Sequence, residues 1–123
     1  MPILTIEITG TAGAHAPDLA ARIADVAGAV FGSAPGQTWV RLRWLDGGDY
    51  AENGGGPPPD VHPVFVSVIE AHPPEGGERE RRAASLTIAI AEACDRPADN
   101  VHVIYEPPGA GRVAFGGRLV DGE

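Results

Sequence analysis

The 123-residue sequence contains no lysine; all nine of its basic residues are arginine. That absence excludes a P-loop, whose lysine reaches the phosphates, and any lysine Schiff base. The only amine left to act as base or nucleophile is the chain terminus. A single cysteine, Cys94, excludes an internal disulfide and fits a reducing, cytoplasmic compartment. Long hydrophobic runs are missing too. The longest weakly polar stretch, Ala83 to Cys94, falls short of the ~20 apolar residues a membrane span needs, and Met1-Pro2 opens without the basic region of a signal peptide. Positive charge is scarce: nine arginines against 17 acidic residues leave a net charge of -8, which argues against nucleic acid as a partner. His15, His62, His72 and His102 fall at no metal-ligand spacing, and Gly109-x-Gly111 precedes no helix and lacks the third glycine of a dinucleotide loop. Neither a metal nor a cofactor is expected.

What is present reads as one globular domain. Hydrophobic residues make up 43% and charged residues 21%, enough for a single core at this length. Gly and Pro are numerous but cluster, and so punctuate structure. An internal repeat gives the order. Pro2 opens the strand-like run Ile3 to Ile8, with Leu4, Ile6 and Ile8 on one face. Pro63, 61 residues on, opens Val64 to Ile69. At the same offset Val40 to Trp44 matches Val101 to Tyr105, and Gly55-Gly56 matches Gly116-Gly117. Identities are few; the preserved order and spacing carry the repeat. The chain 1–123 is therefore expected to be one domain of two repeats, 2–56 and 63–117, joined by the Gly/Pro-rich stretch Gly54 to Asp60.

Each repeat holds a helix between two strands. The first is expected from Pro17 to Phe31, with Leu19, Ile23, Val26 and Val30 as its apolar stripe and Gly32 as its stop. The second is expected over Glu78 to Asp95, buried through Leu86, Ile90 and Ala93, with Pro97 unable to continue it. The second strands fall near Thr38 to Leu45 and Val101 to Glu106. Each unit is a parallel, right-handed crossover. The fold expected is α+β: tandem β-α-β units forming a four-stranded sheet with two helices on one face. The other face stays partly apolar and uncovered, which predicts a homo-oligomer.

A proline behind Met1 that starts a strand, a β-α-β unit of about sixty residues and a Gly-Gly hairpin after the second strand together resemble the tautomerase superfamily. That superfamily includes 4-oxalocrotonate tautomerase and macrophage migration inhibitory factor. The doubled unit resembles its fused members, and the likeness runs from Pro2 to about Val120. Val101-His102-Val103 followed by Val113 to Gly117 is similar to the strand and hairpin of the migration inhibitory factor. The resemblance implies a homotrimer and a small carboxylic acid substrate. It also implies a catalytic Pro2, whose secondary amine is freed by removal of Met1. Burial beside arginines disfavours the protonated amine and suits it to act as a base near neutral pH. Pro63, inside the chain, has only an amide nitrogen.

The resemblance also marks substrate-binding candidates. Arg41 aligns with a strand arginine that binds the substrate carboxylate, and Arg43, two residues on, projects from the same face. Phe115 matches a hairpin aromatic that walls an apolar pocket. His102 is the second-half counterpart of Arg41. Glu52, with Tyr50, lies where related enzymes sometimes keep an acid, although Asp46, Asp49 and Glu52 also read as a solvated loop. Two departures stand out: Thr9 to Ala16 carries His15 but no arginine, and the loop Glu70-Ala71-His72-Pro73-Pro74 has none either. Arg79, Arg81 and Arg82 come later, on what reads as an exposed helix start. The expected function is a cofactor-independent keto-enol tautomerase, an isomerase, acting on a 2-oxo or 2-hydroxy-dienoic acid. The alternatives are a hydratase or dehalogenase of an unsaturated acid on the same fold, with an acid such as Glu52 activating water, and a non-enzymatic trimeric binding protein.

Overall fold

Alternation of side chains builds the frame. The computed structural model describes residues 2–10 and 17–121, so His15 and the processing of Met1 lie outside the described residues. Strand β1 (Ile3–Thr9) sends Leu4, Ile6 and Ile8 to one side, where all three are fully buried. Strand β3 (Val64–Ile69) does the same with Val64, Val66 and Val68. The two pair antiparallel at the centre of the sheet, with Ile3 opposite Ile69. Strand β2 (Trp39–Leu45) flanks β1 in parallel, and β4 (Val101–Tyr105) flanks β3 in parallel, giving the order β2-β1-β3-β4.

Two helices cover the buried side. Helix α1 (Leu19–Phe31) seats Leu19, Ile23 and Ala27, spaced by four, in the core. Helix α2 (Gly76–Cys94) seats Leu86, Ile90 and Ala91. The expected fold class is the one observed. The helix ends differ in detail. Asp18 lies outside α1, where its carbonyl accepts the N–H of Arg22, and Gly32 closes the helix in the left-handed region at φ 67°. Helix α2 begins at Gly76, earlier than expected, and Asp95 caps it at φ 54°. Val26 and Val30 are only half-buried, because Ala27 takes the central position of that stripe.

The two Gly-Gly segments differ. The second forms a true hairpin, β5 (Ala114–Phe115) against β6 (Arg118–Leu119), whereas the first makes a single bridge between Glu52 and Gly56. On the open side of the sheet, one row across the strands reads Arg43, Glu7, Phe65, His102, and the next reads Arg41, Thr5, Ser67, Ile104. Trp39 and Ile104 on this side are 51% and 48% exposed, so the uncovered face is partly apolar, as expected from the sequence. Among the described residues no helix is long and apolar enough to cross a membrane.

Candidate active site

Pro2 precedes β1 and is buried. Its carbonyl accepts the N–H of Trp39 at 3.0 Å, which ties the start of the chain to the start of β2. Beside it opens a cavity of about 300 Å³ walled by Ile3, Gln37, Trp39, Phe115 and Val120. Two contacts fix the aromatic wall. The Trp39 indole N–H donates to the Gly36 carbonyl at 2.9 Å, and Gly36 can present that carbonyl because it sits at φ 80°. The Phe115 ring meets Trp39 edge-on, with centroids 5.1 Å apart and planes at 80°. The hairpin β5–β6 thus closes over the chain start, and Pro2 and Phe115, expected in one site, line one cavity.

Arg41 lies in an adjoining cleft of about 370 Å³, on the open side of the sheet. Its guanidinium donates to Thr5 Oγ1 at 2.8 Å, and Arg112, Glu106 and Ser67 line the same cleft. Ile3 borders both spaces. Within one chain Arg41 therefore faces a different space from Pro2.

The remaining candidates gather elsewhere. His102 meets Phe65 at a tilt with centroids 5.4 Å apart, Phe65 meets Tyr50 at 5.6 Å, and the Tyr50 hydroxyl donates to Glu52 Oε2 at 2.7 Å. That bond to a carboxylate raises the Tyr50 pKa. Arg43 stands across from Glu7 in the row that ends at His102. So Arg43, Glu52 and His102 lie toward the opposite end of the sheet from Pro2, and Glu52 is exposed.

The helix-start arginines need correction. Arg81 is exposed as expected, but Arg79 and Arg82 are half-buried. They are three residues apart on α2, so they share one face, and that face turns inward. Arg82 donates to Glu70 Oε1 at 3.3 Å and lies 5.3 Å from the Phe31 ring centroid. Arg79 donates from Nε to the Pro74 carbonyl at 2.7 Å and sits 5.6 Å from the Tyr105 ring centroid. Glu70, which sequence reasoning passed over, is the carboxylate that Arg82 meets. It follows β3 directly, and its side chain is only 13% exposed. Burial pushes its pKa up, while Arg82, the chain-terminal amine and Arg79 oppose the rise. Burial, and secondarily the negative charge of Glu70, raises the pKa of Tyr105. Among the described residues no group of three His, Cys, Asp or Glu side chains is placed to hold a metal ion.

Comparison with known proteins identifies the fold. No protein-family model and no curated protein matches the sequence. Solved structures do. Pt0534 inactivated by 2-oxo-3-pentynoate superposes with a TM-score of 0.72 at 21% identity, over 98% of this chain and 95% of that one. The macrophage migration inhibitory factor of Oncomelania hupensis gives 0.75 at 16% identity, over 98% and 83%. A fused 4-OT described as a symmetric trimer gives 0.72 at 14% identity, over 96% and 94%. A malonate semialdehyde decarboxylase and a member of the cis-3-chloroacrylic acid dehalogenase family share the architecture as well. The chain has the tautomerase fold over nearly its whole length.

Proposed function

We propose that the protein is a cofactor-independent keto-enol tautomerase of a 2-oxo or 2-hydroxy-dienoic acid, working as a homotrimer with the amine of Pro2 as general base. The observation that carries this reading is the burial of Pro2 against an apolar cavity walled by Trp39 and Phe115. Once Met1 is removed, the Pro2 nitrogen becomes a secondary amine with a free electron pair. A water-poor setting favours its neutral form. The amine takes the proton of the enol hydroxyl, the electron pair moves through the conjugated system, and the same proton is returned to carbon. Nothing is oxidised overall.

Charge stabilisation comes from arginine. Arg41, reaching the site from a neighbouring copy, holds the substrate carboxylate and steadies the dienolate as it forms. The open sheet face, with Trp39 and Ile104 half exposed, supplies the surface through which three copies associate.

The test combines intact mass with a ketonisation assay on phenylenolpyruvate and 2-hydroxymuconate, run beside 3-haloacrylates. The expected result is a chain lacking Met1 that ketonises the enols, and a Pro2→Ala variant slowed by about 10²–10⁴-fold. Turnover of the haloacrylates alone would move the chain to the hydrolytic branch. A chain retaining Met1, or a fully active Pro2→Ala, would end the proposal.

A further inference from the structure

We propose that Glu70 is the counter-charge of the Pro2 amine, a positioning residue that pairs with the protonated form and sets the pH at which the base works. The inference rests on the reading of Pro2 as the base. It begins in the register. Ile3 stands opposite Ile69 in the antiparallel ladder, so one further step sets Pro2 opposite Glu70. Both residues carry the parity of Leu4 and Val68, whose side chains face the helices. Directly opposed residues of an antiparallel pair lie about 4.5–5.5 Å apart at Cα, close enough for a carboxylate to reach the neighbouring nitrogen.

The polar accounting points the same way. Glu70 Oε1 is occupied by Arg82, but Oε2 is buried without a hydrogen-bond partner among the described residues. The Tyr105 hydroxyl, on the same face in the neighbouring row of Leu4 and Val68, is likewise buried and unpartnered. A buried carboxylate oxygen left unpaired is costly. While Met1 is attached, the Pro2 nitrogen is a tertiary amide with no hydrogen to give. Removing Met1 turns it into a group that, once protonated, offers two N–H donors beside that oxygen. Processing therefore creates a donor where the fold holds an unsatisfied acceptor.

The charges facing Glu70 are Arg79 and Arg82 from α2 and the amine that begins the chain, with Tyr105 from β4 as a titratable neighbour. Two arginines alone would drive the amine toward its neutral form. Glu70 offsets part of that field and lets the amine hold the proton it has taken until carbon accepts it.

The experiment uses the full chain, with intact mass confirming that it begins at Pro2 and with ¹⁵N-labelled proline. The Pro2 nitrogen is titrated by NMR in wild type, Glu70→Gln and Arg82→Gln, and the kcat/KM pH profile is recorded in parallel. Loss of the negative charge is expected to lower the Pro2 pKa by about one to two units, and loss of Arg82 to raise it. Structural damage alone would not move the titration in opposite directions. If Glu70→Gln fails to fold, the Arg82→Gln shift and the smaller downward shift expected of Glu70→Asp decide the matter. A free Pro2 whose titration is unmoved in these variants overturns the inference alone. Absence of ketonisation with the shifts present overturns the proposed reaction and leaves the pairing standing. Retention of Met1 overturns both.

Discussion

Pro2 and Arg41 lie in different spaces of one chain, and this makes a sharp prediction about how they cooperate. Arg41 occupies its own cleft on the open side of the sheet, anchored to Thr5 Oγ1 at 2.8 Å, while the Pro2 cavity opens beyond Ile3. If both act on one substrate, Arg41 must serve the Pro2 of a neighbouring copy. Arg41→Ala removes a charge-assisted hydrogen bond to the carboxylate worth about 1.5–3 kcal/mol, or roughly 10- to 150-fold in kcat/KM for 2-hydroxymuconate. Pro2→Ala is crippled for a different reason. Mixing the two impaired chains by joint unfolding and refolding tests the geometry. In a randomly mixed trimer, about one quarter of the sites pair an intact Pro2 with an intact Arg41 across a subunit boundary, so about one quarter of wild-type activity should return. A site built within a single chain could never be restored, since every chain lacks one of the two groups. Hybrids no more active than their parents would refute the intersubunit arrangement. An Arg41→Ala chain that loses less than about threefold would remove Arg41 from the site altogether.

Gly109 and Cys94 offer checks on the frame. A Cβ on Gly109 would lie 3.0 Å from Ile69 Cγ2 and 3.2 Å from Val113 Cγ2, and the Gly109 N–H already donates to the Glu70 carbonyl at 2.7 Å. Gly109→Ala should therefore cost about 1–3 kcal/mol in urea unfolding and disturb the loop that leads to the hairpin; an unchanged midpoint would contradict this close approach. Burial raises the pKa of the Cys94 thiol against the opposing charges of Arg96 and Arg22. Folding thus favours the protonated thiol, so this contribution to stability is fully present below the free thiol's pKa of about 8.5 and is lost as pH rises through the folded value. Alkylation by iodoacetamide at mildly alkaline pH should be about tenfold or more slower in the native chain than in urea, and equal rates would show the thiol to be exposed.

The strands and helices were legible because each is marked locally. Leu4, Ile6 and Ile8 alternate, Leu19 and Ile23 recur at helical spacing, and Gly32 stops α1 where a left-handed residue is needed. The nearness of Pro2 and Phe115 came from the resemblance, and the turn that folds Phe115 back is marked by Gly116-Gly117. Arg79 and Arg82 were misread for an equally local reason. A run of alternating charges at a helix start looks solvated, and only the shared face of positions three apart shows that two of its members turn toward Glu70 and Tyr105.

The acid beside Pro2 could not be found by the same means. Repeat arithmetic compares the two halves, placing Pro63 against Pro2 and His102 against Arg41, and says nothing about which strands meet. The contact that matters runs between the halves, through the antiparallel union of β1 and β3, and reverses the direction in which positions correspond. Under the repeat, Glu70 is the counterpart of Thr9, at the far end of the first strand. Under the ladder, it stands one step beyond Ile69, opposite Pro2. A search for an acid by likeness to hairpin positions therefore led to Glu52, which is exposed and occupied by the Tyr50 hydroxyl. The register leads instead to a carboxylate with one buried oxygen still unpartnered. Two equal β-α-β units could in principle join through other strand edges, and each joining would set a different residue opposite the amine. The chemistry of the site is thus decided by the seam between the halves rather than by either half alone.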